Sequence, residues 1–166
     1  MTAPTLADLT EEARRLVFPR FAEDTALALG LKVVEMARAD NLAIVIDIRT
    51  PDRCLFHAAL PGSAPLNDLW AARKSATALM FHEASLMVGI RHREKGETLA
   101  KHSLPPERYA DHGGAVPIRV AGAGVVACLT VSGLPQVEDH RLAVRAIEGL
   151  LADQRSLEAL KPGSNA

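Results

Sequence analysis

Apolar residues recur along the chain with two different periods, which separate helical segments from strands. The spacing predicts helices over residues 6–17, 24–39, 67–81, 83–93 and 138–154, and strands over residues 42–48, 54–60, 116–120 and 125–131. The strands form two pairs, each joined by a short turn, so they predict two antiparallel hairpins. The order of elements favours an α/β (α+β) fold, in which helices pack against an antiparallel sheet.

The second hairpin carries polar, glycine-rich sequence at both ends. Residues 111–114 read DHGG before its first strand, and residues 132–135 read SGLP after its second. The turn itself, Gly122-Ala-Gly124-Val-Val-Ala127, matches the letters of a dinucleotide-binding fingerprint. That fingerprint opens a helix, whereas the residues that follow here predict a strand, so we interpret it as a turn.

Composition limits the classes of partner. The chain has 166 residues, which predicts a single domain with a lead-in helix over residues 1–20 and a frayed tail over residues 156–166. Its net charge of −1 argues against nucleic-acid and membrane partners. The sequence shows neither a signal peptide nor an apolar run of membrane-spanning length, so we expect a cytoplasmic protein. Cys54 and Cys128 lie in predicted strands, which predicts two buried free thiols.

The helix that begins near Asn67 carries a candidate binding surface. Trp70, Arg73 and Lys74 follow one another at helical spacing, so an indole and two cations share one side of the helix. They could form a wall for a planar anionic ligand, because the ring stacks and the cations pair with carboxylates. Alternatively, Trp70 packs against Lys or Arg stems through cation–π attraction, or it anchors a subunit contact, in which case Trp70→Ala dissociates an oligomer. We predict dissociation.

Histidines supply the other candidate groups. His112 precedes Gly113 and Gly114, whose accessible backbone amides would let a ligand approach, so it is a candidate haem ligand or anion site. The alternative is a loop histidine bonded to a backbone carbonyl. His140, on the apolar side of the last helix, is either a neutral ligand or a buried core residue. We expect His92 and His102, in a charged segment, to be solvated.

Four motifs resemble one protein family. Lys74-Ser-Ala-Thr-Ala resembles its K-A-x-T-A helix, and Gly113-Gly114-Ala-Val-Pro-Ile resembles its G-G-x-P-I strand entry. Val131-Ser-Gly followed by Asp139 resembles its closing V-S-G and D. The chain is therefore similar to the haem-degrading, HbpS/GlcG-like family, and most closely to its uncharacterised-protein-family (UPF) branch.

The resemblance implies a profilin-like α/β sandwich with about five strands, and a homo-oligomer. It also implies signature positions of the branch, to which no catalytic step is assigned: Asn67, Trp70, Arg73, Lys74, His112, Gly113, Gly114 and His140. Two functions follow from the sequence. One is a homo-oligomer that binds a small planar ligand, with haem as the candidate cofactor. The other is a non-catalytic scaffold or adaptor, favoured because no nucleophile and base pattern or complete metal motif occurs.

Overall fold

The computed structural model describes residues 3–159. Its helices are α1 (Leu6–Arg15), α2 (Glu23–Ala39), α3 (Pro65–Phe81), α4 (Ser85–Lys95) and α5 (Gln136–Ala159), with a short 3₁₀ helix at Leu99–His102. Its strands are β1 (Val17–Phe18), β2 (Val45–Arg49), β3 (Cys54–Ala59), β4 (Ala115–Val120) and β5 (Gly124–Ser132). Both predicted hairpins are present, as β2–β3 and β4–β5.

The five strands form one sheet in the order β1-β4-β5-β2-β3. The predicted α/β fold with a five-stranded sheet between helices is confirmed. Four of the strands pair antiparallel, but β1 pairs with β4 in parallel. The prediction that α1 continues to Val17 is wrong, because α1 ends at Arg15 and Val17 already belongs to β1.

Helices cover both faces of the sheet. On one face α2 and α5 pack against side chains that are fully buried, among them Ile46, Ile48 and Leu129. On the other face α3 lies over β5 and β4, with Ala78 against Ala115. This face is lined by smaller residues, so the helix and the sheet approach each other closely.

Gly30 brings α2 close to β3. A Cβ atom at this position would overlap the ring of Phe56 on β3. Glycine weakens a helix by about 1 kcal/mol relative to alanine, and here that cost is offset by burial of the aromatic ring. Gly30 therefore allows α2 and β3 to pack closely.

Three local expectations need correction. The charged segment 91–102 is not a solvated loop, because α4 continues to Lys95 and a 3₁₀ helix follows. Cys128 is buried as expected, but Cys54 is exposed because it lies on the edge strand β3. Residues 156–159 of the expected frayed tail belong to α5, while residues 160–166 lie outside the described part.

The sequence predicted no apolar run of membrane-spanning length. Within residues 3–159, no helix is both long enough and apolar enough to span a bilayer.

Candidate functional site

The four sequence motifs meet at a buried ammonium group. Lys74 on α3 is only 3% exposed. Its Nζ donates to the carbonyls of Gly113 and Val131 at 3.0 and 2.7 Å, and to Asp139 Oδ2 at 3.0 Å. An ammonium group has three donors, and all three are used. The expectation that Lys74 offers a free cation to a ligand is therefore wrong.

Asp139, the partner of Lys74, is held by the backbone that enters α5. Its carboxylate accepts the N–H of Leu134 at 2.9 Å and that of Gly133 at 3.4 Å. Burial is the largest influence on both ionisable groups, and it lowers the pKa of Lys74 and raises the pKa of Asp139. The attraction between the two charges opposes both shifts. The pair links α3, β5 and α5 inside the protein.

The double glycine makes room for this ion pair. Gly114 has a φ of +131°, and an added Cβ would overlap the Val131 carbonyl and lie 2.5 Å from Lys74 Nζ. Gly113 donates its N–H to Gln136 Oε1 at 3.1 Å, and a Cβ there would overlap the backbone of the same residue. The expectation that this amide is open to a ligand is wrong. Both glycines are required by packing.

Trp70, Arg73 and His112 form a contiguous group, which we call the Trp70 surface. The Trp70 and His112 rings meet edge to face at 5.0 Å, and the Arg73 guanidinium lies 4.5 Å from the Trp70 ring centre. The His112 side chain is 51% exposed, with Nδ1 3.8 Å from Asp111 Oδ1. Arg73 Nε is buried and has no hydrogen-bond partner within residues 3–159. These three predicted residues are brought together.

Two open cavities flank the Trp70 surface. One, of about 280 Å³, is lined by Trp70, His112 and the apolar side chains of Leu66 and Leu134. The other, of about 290 Å³, is lined by Arg73 and also by His112. Each volume lies at the lower limit for ligand sites, about 300–1,000 Å³. A large planar molecule would therefore lie across this surface and not inside either cavity.

Asn67 and Asp68 act at the start of α3. Asn67 Oδ1 accepts the N–H of Ala64 at 2.8 Å, and this side chain also borders the first cavity. The helix begins at Pro65, two residues before the predicted start at residue 67, and Ala64 is its N-cap residue. Asp68 reaches instead to His57 Nε2 on β3, at 2.8 Å.

His140 does not belong to the Trp70 surface. It is 1% exposed on α5, and its Nε2 lies 2.8 Å from Glu12 Oε1 on α1. The alternative of a buried histidine therefore holds, and the expectation that His140 is a ligand-binding residue is wrong. Its role is to join the first helix to the last.

His92, expected to be solvated, is also buried. Its Nδ1 lies 2.9 Å from Asp111 Oδ2, and its ring stacks on that of His102 at 5.6 Å. Asp111 thereby links this interior histidine to the neighbourhood of His112. Sequence reasoning missed the burial of His92 because the charge pattern of residues 91–102 is typical of a solvated segment. Within the described residues, no group of three or more His, Cys, Asp or Glu could hold a bare metal ion.

A second polar cluster lies on β2 and β3, on the α3 side of the sheet. The buried carboxylate of Asp47 accepts from Arg49 and lies 3.0 Å from His57 Nδ1. Burial disfavours the charged imidazole, but the hydrogen bonds to Asp47 and Asp68 outweigh it and raise the pKa of His57. The His57 side chain is 37% exposed.

Comparison with known proteins decides the family. A family model described as haem degrading protein HbpS-like matches residues 21–148. The chain belongs to the haem-degrading, HbpS-like family. Relatives carry the name UPF0303, which agrees with the UPF branch that the resemblance indicated. One of them, a protein of Streptomyces coelicolor, is 54% identical over 92% of this chain and 97% of its own length. Another, from Burkholderia thailandensis, is 47% identical over 86% and 87%.

Several solved structures have the same fold. Ybr137w is 33% identical, with a TM-score of 0.82 over 91% of this chain and 90% of its own. HbpS itself is 22% identical, with a TM-score of 0.61 over 91% and 92%. The PduOC:heme complex is 19% identical, with a TM-score of 0.66 over 77% and 93%. The last two identities are low, so these likenesses establish the fold alone.

Proposed function

We propose that this HbpS-like protein is a cytoplasmic homo-oligomer that binds a planar, carboxylate-bearing ligand, with haem as the first candidate, on the Trp70 surface. The observation that carries the proposal is that Arg73 is held in place on Trp70 without a carboxylate partner within the described residues. Its guanidinium stacks on Trp70 and borders a cavity, and within the described residues it has no carboxylate partner. An arginine fixed in this way is suited to a ligand carboxylate, which it can contact through two N–H groups.

The residues of the surface fit haem in three respects. His112 is exposed and could hold the iron through a ring nitrogen. Arg73 could pair with a propionate, and Trp70 could stack against the macrocycle. Bound haem would supply a redox-active iron, while these side chains would bind and orient it. The PduOC neighbour, whose structure contains heme, adds support at the level of the fold.

Spectroscopic titration with hemin tests the proposal. We expect wild-type protein to shift the Soret band, His112→Ala to change the position of the shifted band, and Arg73→Gln to weaken binding by about tenfold or more. His102→Ala removes a different exposed histidine and is the matched control. No Soret shift with wild type, or the same shift and affinity in His112→Ala and Arg73→Gln, would contradict the proposal.

The alternative is a non-catalytic adaptor that binds another protein through the same region. It is favoured by Leu66 and Leu69, which are 60% and 50% exposed on the first turns of α3. Exposed leucines beside a tryptophan are typical of protein interfaces. A chain that binds no hemin, and whose partner is lost in Leu69→Lys but retained in Met80→Lys, would support the adaptor.

A further inference from the structure

The outer edge of the sheet at β3 is open. β3 pairs with β2 on one side, and no other residue within 3–159 pairs with its second side. Leu60 N–H donates to the Ile44 carbonyl at 2.9 Å, on the β2 side. Because an antiparallel ladder alternates, the backbone groups of His57 and Ala59 point away from β2. A row of free donors and acceptors therefore faces outward.

The sequence of β3 does not protect this edge. Residues 54–59 read CLFHAA, which contains no proline, lysine, arginine or carboxylate. Monomeric proteins usually place such residues on edge strands to prevent pairing with another chain. The one ionisable side chain in the regular part of the strand, His57, is already bonded to Asp47 and Asp68. A bulge near Leu55 leaves residues 56–59 as the regular part.

Helix α2 presents apolar side chains beside the same edge. Gly30 rests on Phe56 of β3, and Lys32 reaches toward α5, where its Nζ lies 2.8 Å from Asp153 Oδ2. At about 100° per residue, Leu27 and Leu31 lie about 60° and 100° from Gly30, on the side away from α5. They are 52% and 55% exposed. Both leucines therefore flank the position where a sixth strand would lie.

We propose that this surface, formed by the outer edge of β3 with Leu27 and Leu31, binds a second copy of the chain through antiparallel β3–β3 pairing. Pairing about a two-fold axis would join two five-stranded sheets and bring the leucines of both copies to one seam. This proposed β3–β3 contact rests on the homo-oligomer part of the proposed function and is independent of ligand binding.

Charge favours a second copy as the occupant. The chain has a net charge of −1, so two copies do not repel each other strongly. Residues 56–59 contain no unpaired charge, so a strand facing its own copy meets no like charge across the ladder. A standard interface covers about 800 Å² per partner, which is less than a tenth of the 9034 Å² surface of this chain.

Sedimentation velocity on charged variants tests the proposal. We expect Leu27→Lys with Leu31→Lys to raise the dissociation constant of the β3–β3 contact by about 100-fold or more. Ala59→Pro removes an outward N–H and should have the same effect, because the ladder with β2 does not use that N–H. Met80→Lys is the matched control, since Met80 is 54% exposed on α3.

Hydrogen exchange provides a second measurement at the strand itself. We expect the outward amides of His57 and Ala59 to exchange slowly in the wild-type assembly and faster in the double lysine variant, while the Met80→Lys protein resembles wild type. If Ala59→Pro fails to fold, the variant with Leu27→Lys and Leu31→Lys still tests the β3–β3 contact. A wild type that sediments as a 17.8 kDa monomer overturns the β3 contact together with the oligomer. An assembly that persists undiminished in the leucine variant, with outward amides of His57 and Ala59 that exchange rapidly even in the wild type, overturns the β3 contact alone. Hemin titration of the same proteins reports on ligand binding separately.

Discussion

Lys74 Nζ lies 3.0 Å from Asp139 Oδ2, and both side chains are only 4% exposed. Removing one partner of a buried ion pair leaves the other charge uncompensated, which costs about 3–5 kcal/mol. We therefore expect Lys74→Met to lower the free energy of unfolding by that amount, as measured by urea denaturation.

Lys32→Met is the control for this prediction. Its ion pair with Asp153 has a similar length, 2.8 Å, but the carboxylate is 60% exposed. Exposed pairs contribute about 0–1 kcal/mol, so the control should change stability little. Equal losses in the two variants would show that burial of the Lys74 pair is unimportant.

Substitutions at Gly114 and Gly122 distinguish the cost of close packing from the cost of backbone conformation. Both have positive φ, +131° and +77°, but only Gly114 has atoms within 4 Å of an added Cβ. Gly122→Ala should cost about 1 kcal/mol because of its backbone conformation. Gly114→Ala should cost at least about 2 kcal/mol more, since the methyl group displaces Lys74 or the β5 backbone. Thermal unfolding of both variants tests this, and equal melting temperatures would refute it.

The raised pKa of His57 predicts a pH-dependent stability. The folded protein holds the imidazole proton more tightly than the unfolded chain, whose histidine pKa is about 6.5. The stabilisation is therefore complete below about pH 6.5 and is lost as pH rises through the folded pKa. Urea denaturation of wild type and His57→Gln should give a stability difference that shrinks over this range. A difference that grows with pH would contradict the assignment.

Trp70 is the residue on which the sequence and the structure lead to different expectations. The sequence predicted an interface anchor, whereas the structure gives the ring two partners within its own chain, Arg73 and His112. We now expect Trp70→Ala to weaken hemin binding by about tenfold and to leave the sedimentation coefficient unchanged. Dissociation of the Trp70→Ala protein would restore the interface role.

The pattern of apolar residues was sufficient to predict the two hairpins and all five helices. The β1 strand was missed because two residues show no periodicity, and they pair with β4, which follows about a hundred residues later in the chain. Helix ends shifted where caps and tertiary contacts extended them, as at Lys95 and Gln136.

The candidate site was harder to predict because charge in the sequence does not reveal burial. Lys74, at helical spacing from Trp70, looked like a surface cation, and only the fold shows that Gly113, Val131 and Asp139 surround it. His92 was misread for the same reason, since its partner Asp111 lies nineteen residues away. Trp70 and Arg73 were predicted to share one side of a helix, whereas His112 was a separate candidate, and the fold brings the three together.

The strand order has a consequence for how the chain folds. Each hairpin joins neighbouring segments and can form early, but β2 meets β5 through partners as distant as Val45 and Ser132. Closing so long a loop has a large entropic cost, and it places the protein among the slower mixed α/β folders. We expect the docking of the two hairpins to be the rate-limiting event. Until it occurs, Lys74 has no carboxylate to neutralise it, so the buried charges are assembled last.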